Sequence, residues 1–284
     1  MPSPAEELSP APFRSLGRDE RELSGNTATG TLKLIALAFM FIDHLGASMF
    51  TNVTELRILG RIAFPIYCWC LVVGFHYTRS VPKYLLRILL VGIISQPFYM
   101  LALHPVDAAR SLPALAKAVI ERPVLVYDHS NIMLTLIVAL LGLAAIRAKW
   151  YGSHIWGPIA ALILAEVLKV NYGWRGVMFV LLLYAAQERR SALAAVIAAF
   201  CLFWGASSSS VKSICGLDLS PLLTAKYFGA IFTPLFKLQG LAVLSLPFIL
   251  IRFKRSVKLP TWLGYALYPA HLILLWGLLV LCHR

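Results

Sequence analysis

The sequence predicts an all-α fold: a polytopic transmembrane bundle of about nine helices, within a range of about eight to ten. Three observations lead there. The 284-residue chain is 59% hydrophobic and only 14% charged, and its mean hydropathy is +0.75, outside the composition of an ordinary soluble domain. Its apolar runs approach or reach the roughly 20 residues that a helix needs to cross a hydrocarbon core about 30 Å thick. Those runs lack the period-two alternation of a membrane β-barrel.

Residues 1–30 are polar, contain Pro and Ser, mix both charge signs and have no apolar h-region. They read as a flexible cytoplasmic tail and not as a cleavable signal. The apolar runs then fall at 32–50, 58–76, 84–103, 131–147, 155–170, 174–187, 192–206, 228–251 and 262–281. The fifth and sixth are short enough to be re-entrant, and the connection 104–130 has room for a short surface helix. No internal repeat or low-complexity linker divides the chain, so residues 31–284 read as a single bundle. The cysteines at 68, 70, 201, 215 and 282 are scattered, and Cys68 and Cys70 point about 200° apart on one helix. They read as small core residues, and no metal is implied.

The net charge of +13 sits in short runs between apolar segments, which points to membrane topology and away from nucleic acid. Arg79 and Lys83, Arg147 and Lys149, Arg189 and Arg190, and the group Arg252, Lys254, Arg255 and Lys258 all fall on the side of the N-terminus. Cytoplasmic loops retain Lys and Arg, so the N-terminus is predicted inside a multi-pass inner membrane protein.

The first span contains FMFIDHLGASMF, residues 39–50, with an acid and an imidazole in an apolar setting. His44 lies about six residues, or roughly 9 Å, from the outer end of that helix. Arg57 and Arg61 enter from the same side at i,i+4 and share a face near the depth of Asp43. The predicted ion pair is Asp43 with Arg61. Neighbouring side chains diverge by about 100° on a helix, so Asp43 is a poor direct partner for His44. His129, Asn131, Glu166, Lys169, Tyr172, Trp174 and Arg175 reach the same outer level and imply an outward-facing polar cavity; mutual neutralisation of Glu166 and Lys169, and an aromatic belt for Tyr172 and Trp174, account for the same residues. In the last span His271 sits near mid-bilayer, two residues after Pro269; intramembrane ionisable groups usually face a cavity or a partner. At the inner end Lys33, Arg79, Lys83 and Arg87 belong to a basic rim. Positive-inside bias and the binding of a nucleotide phosphate both account for it.

Five segments carry a family resemblance: LKLIALAFMFIDHLG (32–46), LRILGRIAFPIYCWCLVVGFHYTRS (56–80), KYLLRILLVGIISQPF (83–98), NYGWRGV (171–177) and YALYPAHLILL (265–275). They resemble the TraX family, membrane proteins of conjugation systems associated with N-terminal acetylation of pilin and related to membrane acyltransferases of sugars and lipids. The Asp-His of the first helix, the Gly-Arg-x-x-Phe-Pro of the second and the Tyr-Pro-x-His-Leu of the last carry the likeness. The N-terminal extension, the long 104–130 connection and Val73, where the pattern leads one to expect an acid, depart from it.

The resemblance implies an acetyl-CoA-dependent acetyltransferase in which His44 is catalytic, with Asp43, Arg61 and His271 in support. Acetyl-CoA would be held at Lys33, Arg79, Lys83 and Arg87, and the acceptor cavity would be lined by Arg57, Asn131, Glu166 and Tyr172. Neutral imidazole, with a reference pKa near 6.5, can take the proton of an attacking amine or hydroxyl. The implied acceptor is a pilin amine, with an envelope polysaccharide or lipid hydroxyl as the alternative. Membrane lipid is the surrounding partner. A proton-coupled transporter and a pilus-assembly scaffold are the competing classes.

Overall fold

The structure, a computed structural model, describes residues 22–108, 110–224, 233 and 236–282. Helices α1 (Thr29–Ser48), α2 (Thr54–Gly60), α3 (Ala63–Tyr77) and α4 (Val81–Leu103) are followed by two short helices, α5 (Leu112–Glu121) and α6 (Val124–Asp128). Then come α7 (Ile132–Ala148), α8 (Ser153–Val167), α9 (Gly173–Ala185) and α10 (Arg190–Gly205). A two-stranded hairpin, β1 (Ser213–Ile214) and β2 (Leu217–Asp218), precedes α11 (Ser220–Thr224). A 3₁₀ turn at Gly240–Ser245, α12 (Leu246–Leu250) and α13 (Thr261–Cys282) complete the described elements.

Local chemistry sets the boundaries. Pro82 lies in the first turn of α4, where a missing N–H costs nothing. The Asn131 side chain accepts from the Met133 amide and caps α7. Lys149 and Gly152, both at positive φ, reverse the chain into α8. At the end of α4 the Arg110 guanidinium donates to the carbonyls of Leu101 and Ala102, at 2.8 and 2.7 Å.

Helix α3 is apolar around its whole circumference and forms the centre of the bundle, with Ile66, Trp69 and Phe75 inaccessible to solvent. Its neighbours α1, α7, α9 and the Gly240–Ser245 turn close around it. The outer helices carry exposed apolar stripes: Ile155, Ile159, Ile163 and Val167 on α8, and Leu86, Leu89, Leu90, Ile93 and Ile94 on α4. Their helical spacing makes each stripe one outward face, as lipid contact requires.

The count of nine full spans is not reproduced. Among the described residues, four stretches are long and apolar enough to cross a membrane: Thr29–Ser48, Thr54–Tyr77, Val81–Leu103 and Thr261–Cys282. Ile132–Ala148, Gly173–Ala185, Arg190–Gly205 and Gly240–Leu250 are apolar but shorter; at 1.5 Å per residue, 13 residues reach only about 20 Å. The predicted span 228–251 falls partly outside the described residues, at 228–232 and 234–235. Over 240–250 it is a 3₁₀ turn followed by a single short helix.

Of the predicted tail, residues 1–21 lie outside the described residues, whereas 22–28 is packed into one end of the bundle. The Ser24 amide and hydroxyl both donate to the Gln187 carbonyl, the Asn26 amide donates to Ile249, and the Arg252 guanidinium donates to the Leu23 carbonyl at 2.6 Å. Asn26 is 1% exposed, and its carbonyl accepts from the Trp69 indole at 2.7 Å. Trp69→Phe leaves that carbonyl buried and unpaired, at an expected cost of about 1–3 kcal/mol. The check is the unfolding midpoint in detergent; an unchanged midpoint would show that the segment does not brace the core.

Candidate functional site

The site forms where the C-terminal half of α1 meets α2, α3 and α13. Gly60 makes the approach possible, because a Cβ at that position would overlap the Asp43 carboxylate. Asp43 accepts from the Arg57 guanidinium at 2.8 Å on one oxygen and from Arg61 on the other, and Arg57 also donates to the Asp43 carbonyl at 3.0 Å. Arg61 also donates to the Arg57 carbonyl at 3.3 Å and faces Gln239 Oε1 at 3.5 Å. The predicted Asp43–Arg61 pair is present, and Arg57 joins it as a second partner. One carboxylate against two guanidiniums leaves one surplus positive charge in a poorly solvated place.

Nδ1 of His44 lies 3.9 Å from Asp43 Oδ2, beyond hydrogen-bond distance, as helical divergence predicts. Its ring instead stacks on His271, with centroids 5.6 Å apart and planes 15° apart. His271 is 6% exposed. Neither of its ring nitrogens completes a hydrogen bond of good geometry, the nearest backbone acceptors being the carbonyls of Leu267 and Tyr268.

Asp43 and His44 line a cavity of about 50 Å³ together with Met40, Gly60, Phe64, Tyr67, Tyr99, Asn171, Tyr172 and Tyr268. Tyr172 therefore falls where the sequence places it, its ring 4.0 Å from that of Phe64. Tyr67, Tyr99, Asn171 and Tyr268 were not foreseen; Tyr99 and Asn171 are joined by a 2.7 Å hydrogen bond. Tyr67, Asn171 and Tyr268 each fall in a segment that carries the family resemblance, whereas Tyr99 lies one residue past the third.

Three of the four predicted acceptor-cavity residues do not line it: Arg57 is taken up by Asp43, and the other two lie elsewhere. Besides capping α7, Asn131 donates to the Gly92 carbonyl at 2.7 Å, which makes it a joint between α4 and α7. Glu166 is exposed and accepts from the Trp174 amide at 2.9 Å, capping α9. Lys169 pairs with Asp128 at 3.0 Å, and that hydrogen bond and charge raise its pKa. The expected Glu166–Lys169 neutralisation is thus replaced by two separate partners: Lys169 adopts positive φ and turns away from the helix.

The basic rim also divides. Lys33 lies over the Tyr265 ring, at 5.8 Å, and lines the cavities at its end of α1. Arg87 interacts with the Tyr265 hydroxyl. Arg79 and Lys83 are exposed and line neither of those cavities. Arg147 donates to the Phe75 carbonyl at 2.8 Å and lies over its ring, so it ties α7 to α3.

Beyond Tyr99, whose ring meets His104 at 5.5 Å, a wider cavity of about 520 Å³ is lined by His104, Glu121, Arg122 and His129 among others. The two imidazoles there stack at 4.2 Å. Burial, and secondarily the charge of His129, lower the pKa of His104.

Gly60→Ala is expected to separate Asp43 from both arginines. The methyl has no free space, and relieving the overlap requires α1 and α2 to part. A fall in unfolding midpoint comparable to that of an Asp43 variant is the expected result; a midpoint within error of wild type would show that the approach is not constrained at Gly60.

The fold and this buried, ion-paired cluster define a helical membrane protein with a polar site between its first, second and last helices. The family model described as TraX protein matches residues 28–279, and the chain belongs to the TraX family. It is 31% identical over 176 residues to the probable fimbrial assembly protein FimC, serogroup H1, of Dichelobacter nodosus, covering 59% of this chain and 67% of that protein. It is 38% identical over 65 residues to the uncharacterized protein RP591 of Rickettsia prowazekii (strain Madrid E), covering 23% of this chain and 24% of that protein. No solved structure matches.

Proposed function

We propose that the protein is an integral membrane acetyltransferase that moves an acetyl group from cytosolic acetyl-CoA to the N-terminal amine of a pilin subunit at the outer face of the inner membrane. The carrying observation is His44 at the wall of a cavity beside Asp43, whose carboxylate is held by the guanidiniums of Arg57 and Arg61. Family membership and the fimbrial name of the Dichelobacter relative support the pilus connection.

In this reading the N-terminus faces the cytosol. A neutral amine attacks the thioester carbonyl, and the His44 imidazole takes its proton as the N–C bond forms. The surplus positive charge of the Arg57 and Arg61 pair stabilises the oxyanion. Collapse breaks the C–S bond, and the imidazolium returns the proton to the departing thiolate, leaving an amide and free CoA. Asp43, committed to both arginines, fixes them and does not serve as the base. That commitment also removes the acid from any proton relay, which disfavours a proton-coupled carrier.

The test is transfer of label from acetyl-CoA by purified protein in lipid nanodiscs, with pilin and envelope glycans offered separately. Label on the pilin N-terminal amine is the expected result. Label on a hydroxyl acceptor alone would replace the pilin with an envelope substrate. Folded protein that moves no label to any acceptor would remove the enzymatic reading.

A further inference from the structure

Three cavities lie end to end along the seam between α1 and α13. The first, about 390 Å³, is a basin lined by Thr29, Gly30, Lys33, Lys258, Gly264 and Tyr265, among others. The second, about 70 Å³, shares Lys33, Gly264 and Tyr265 with the basin and continues past Leu37, Cys70 and Leu71. The third is the His44 cavity, and Tyr67 and Tyr268 belong to both it and the second. The series follows one face of each helix: Lys33, Leu37, Met40 and His44 on α1, and Gly264 and Tyr268 on α13. These are the three- and four-residue steps of a continuous helical stripe.

We propose that this seam is a conduit, closed in the present conformation by Tyr67 and Tyr268, that admits the acyl-thioester arm of a coenzyme-A-type donor from the basin at Lys33 and Lys258 to His44. The inference rests on the acetyl-CoA reading above and adds the route. The inner two cavities hold only a few waters each, too little for a base or a sugar, so only a slender chain can enter them. The basin is large enough for the bulkier end, and its two ammonium groups suit phosphates. The amino ends of α1 and α13 also open on it, adding to the positive potential there.

Length supports the same occupant. Lys33 and His44 are eleven residues apart, about 16 Å along the helix axis at 1.5 Å per residue. The arm of such a donor has roughly 13 bonds from phosphate to sulfur, which extend to about 16 Å at the ~1.2 Å per bond of an extended backbone. A phosphate at the basin therefore puts the thioester at the level of His44. Tyr268 lies one turn before His271 and its ring touches that imidazole, with centroids 5.1 Å apart, so displacement of the phenol that opens the conduit also reaches the site.

The test places single cysteines before and after the gate, Leu37→Cys and Met40→Cys, in full-length protein in nanodiscs with Cys70 replaced by Ala. Each is treated with the mixed disulfide of coenzyme A and 2-thiopyridine. The protein thiolate attacks the CoA sulfur, a new S–S bond forms, and pyridine-2-thiolate leaves with the electron pair and takes up a proton. Expected is the mass of CoA on both cysteines, located by peptide mass, reduced at least tenfold by excess acetyl-CoA and by Lys33→Glu. The small reagent 2,2′-dipyridyl disulfide should label both with or without Lys33→Glu. CoA labelling at position 37 alone, or at neither, would overturn the conduit, as would failure of the small reagent at both. Leu71→Cys and Ala63→Cys on α3 line the same two cavities and take over if an α1 variant does not fold. Labelling requires no acetyl transfer: labelled but inactive protein would uphold the conduit and sink the enzymatic reading. Active but unlabelled protein would sink the conduit alone.

Discussion

Asp43→Ala is expected to destabilise the bundle by about 3–5 kcal/mol, because it strands two guanidiniums where water cannot replace the carboxylate. The side chains of Asp43 and Arg61 are 11% and 12% exposed, whereas Arg57 is 30% exposed. Arg57→Gln should therefore cost less than Arg61→Gln, since the more exposed partner already recovers part of its hydration. Asp43→Asn preserves shape and one acceptor but loses the charge, and should fall between wild type and alanine. Replacing Asp43, Arg57 and Arg61 together by leucine should recover much of the loss, because a buried ion cluster and an apolar replacement of similar volume differ little in net stability. Unfolding midpoints in detergent micelles rank the variants. An Asp43→Ala midpoint equal to wild type would mean that the two arginines are solvated and that the cluster carries no structural burden.

His44→Ala is expected to lower acetyl transfer by about 10²- to 10⁴-fold, the usual contribution of a positioned general base. Its unfolding midpoint should stay near that of wild type, because the imidazole takes no part in the ion cluster and makes no hydrogen bond to Asp43. His271→Ala should cost less: its ring stacks on His44 but does not line the acceptor cavity, so it orients the base without replacing it. His271→Phe, which keeps a stacking surface, should recover part of that loss. If His271→Ala lost as much as His44→Ala and phenylalanine recovered nothing, His271 would be the base and the assignments would exchange. Activity as a function of pH separates the roles further: loss of the base should abolish the acidic limb of the profile, and loss of a positioning ring should only shift it.

The membrane class and the meeting of Asp43 with Arg61 were legible because both depend on local periodicity. Composition and run length report burial in lipid directly, and the i,i+4 spacing of Arg57 and Arg61 puts two cations on one face at a depth set by counting residues. The sequence also separated His44 from Asp43, since consecutive residues on a helix diverge. It missed that Arg57 closes on the same carboxylate, because the close approach of α1 at Gly60 that brings both guanidiniums within reach is a tertiary contact. Glu166 and Asn131 looked like cavity residues by depth alone; each is consumed by a helix cap, a competing local use of the same polar atoms.

The number of crossings was less legible, since apolar runs of 13 to 17 residues in the helices that formed satisfy a hydropathy count without spanning a bilayer. Residues 22–28 have the composition of a tail, yet Asn26 is held by Trp69, Phe248 and Ile249, Phe248 being 222 residues distant in sequence. By itself the sequence determined the class, the apolar faces and the Asp43–Arg61 pair, all consequences of helical spacing and transfer free energy. Only the tertiary structure decided that His44 meets His271, that Tyr67 and Tyr268 divide one seam into chambers, and which cations remain free of structural partners. Those relations depend on how the first and last helices pack, and contacts between distant segments leave no periodic trace along the chain.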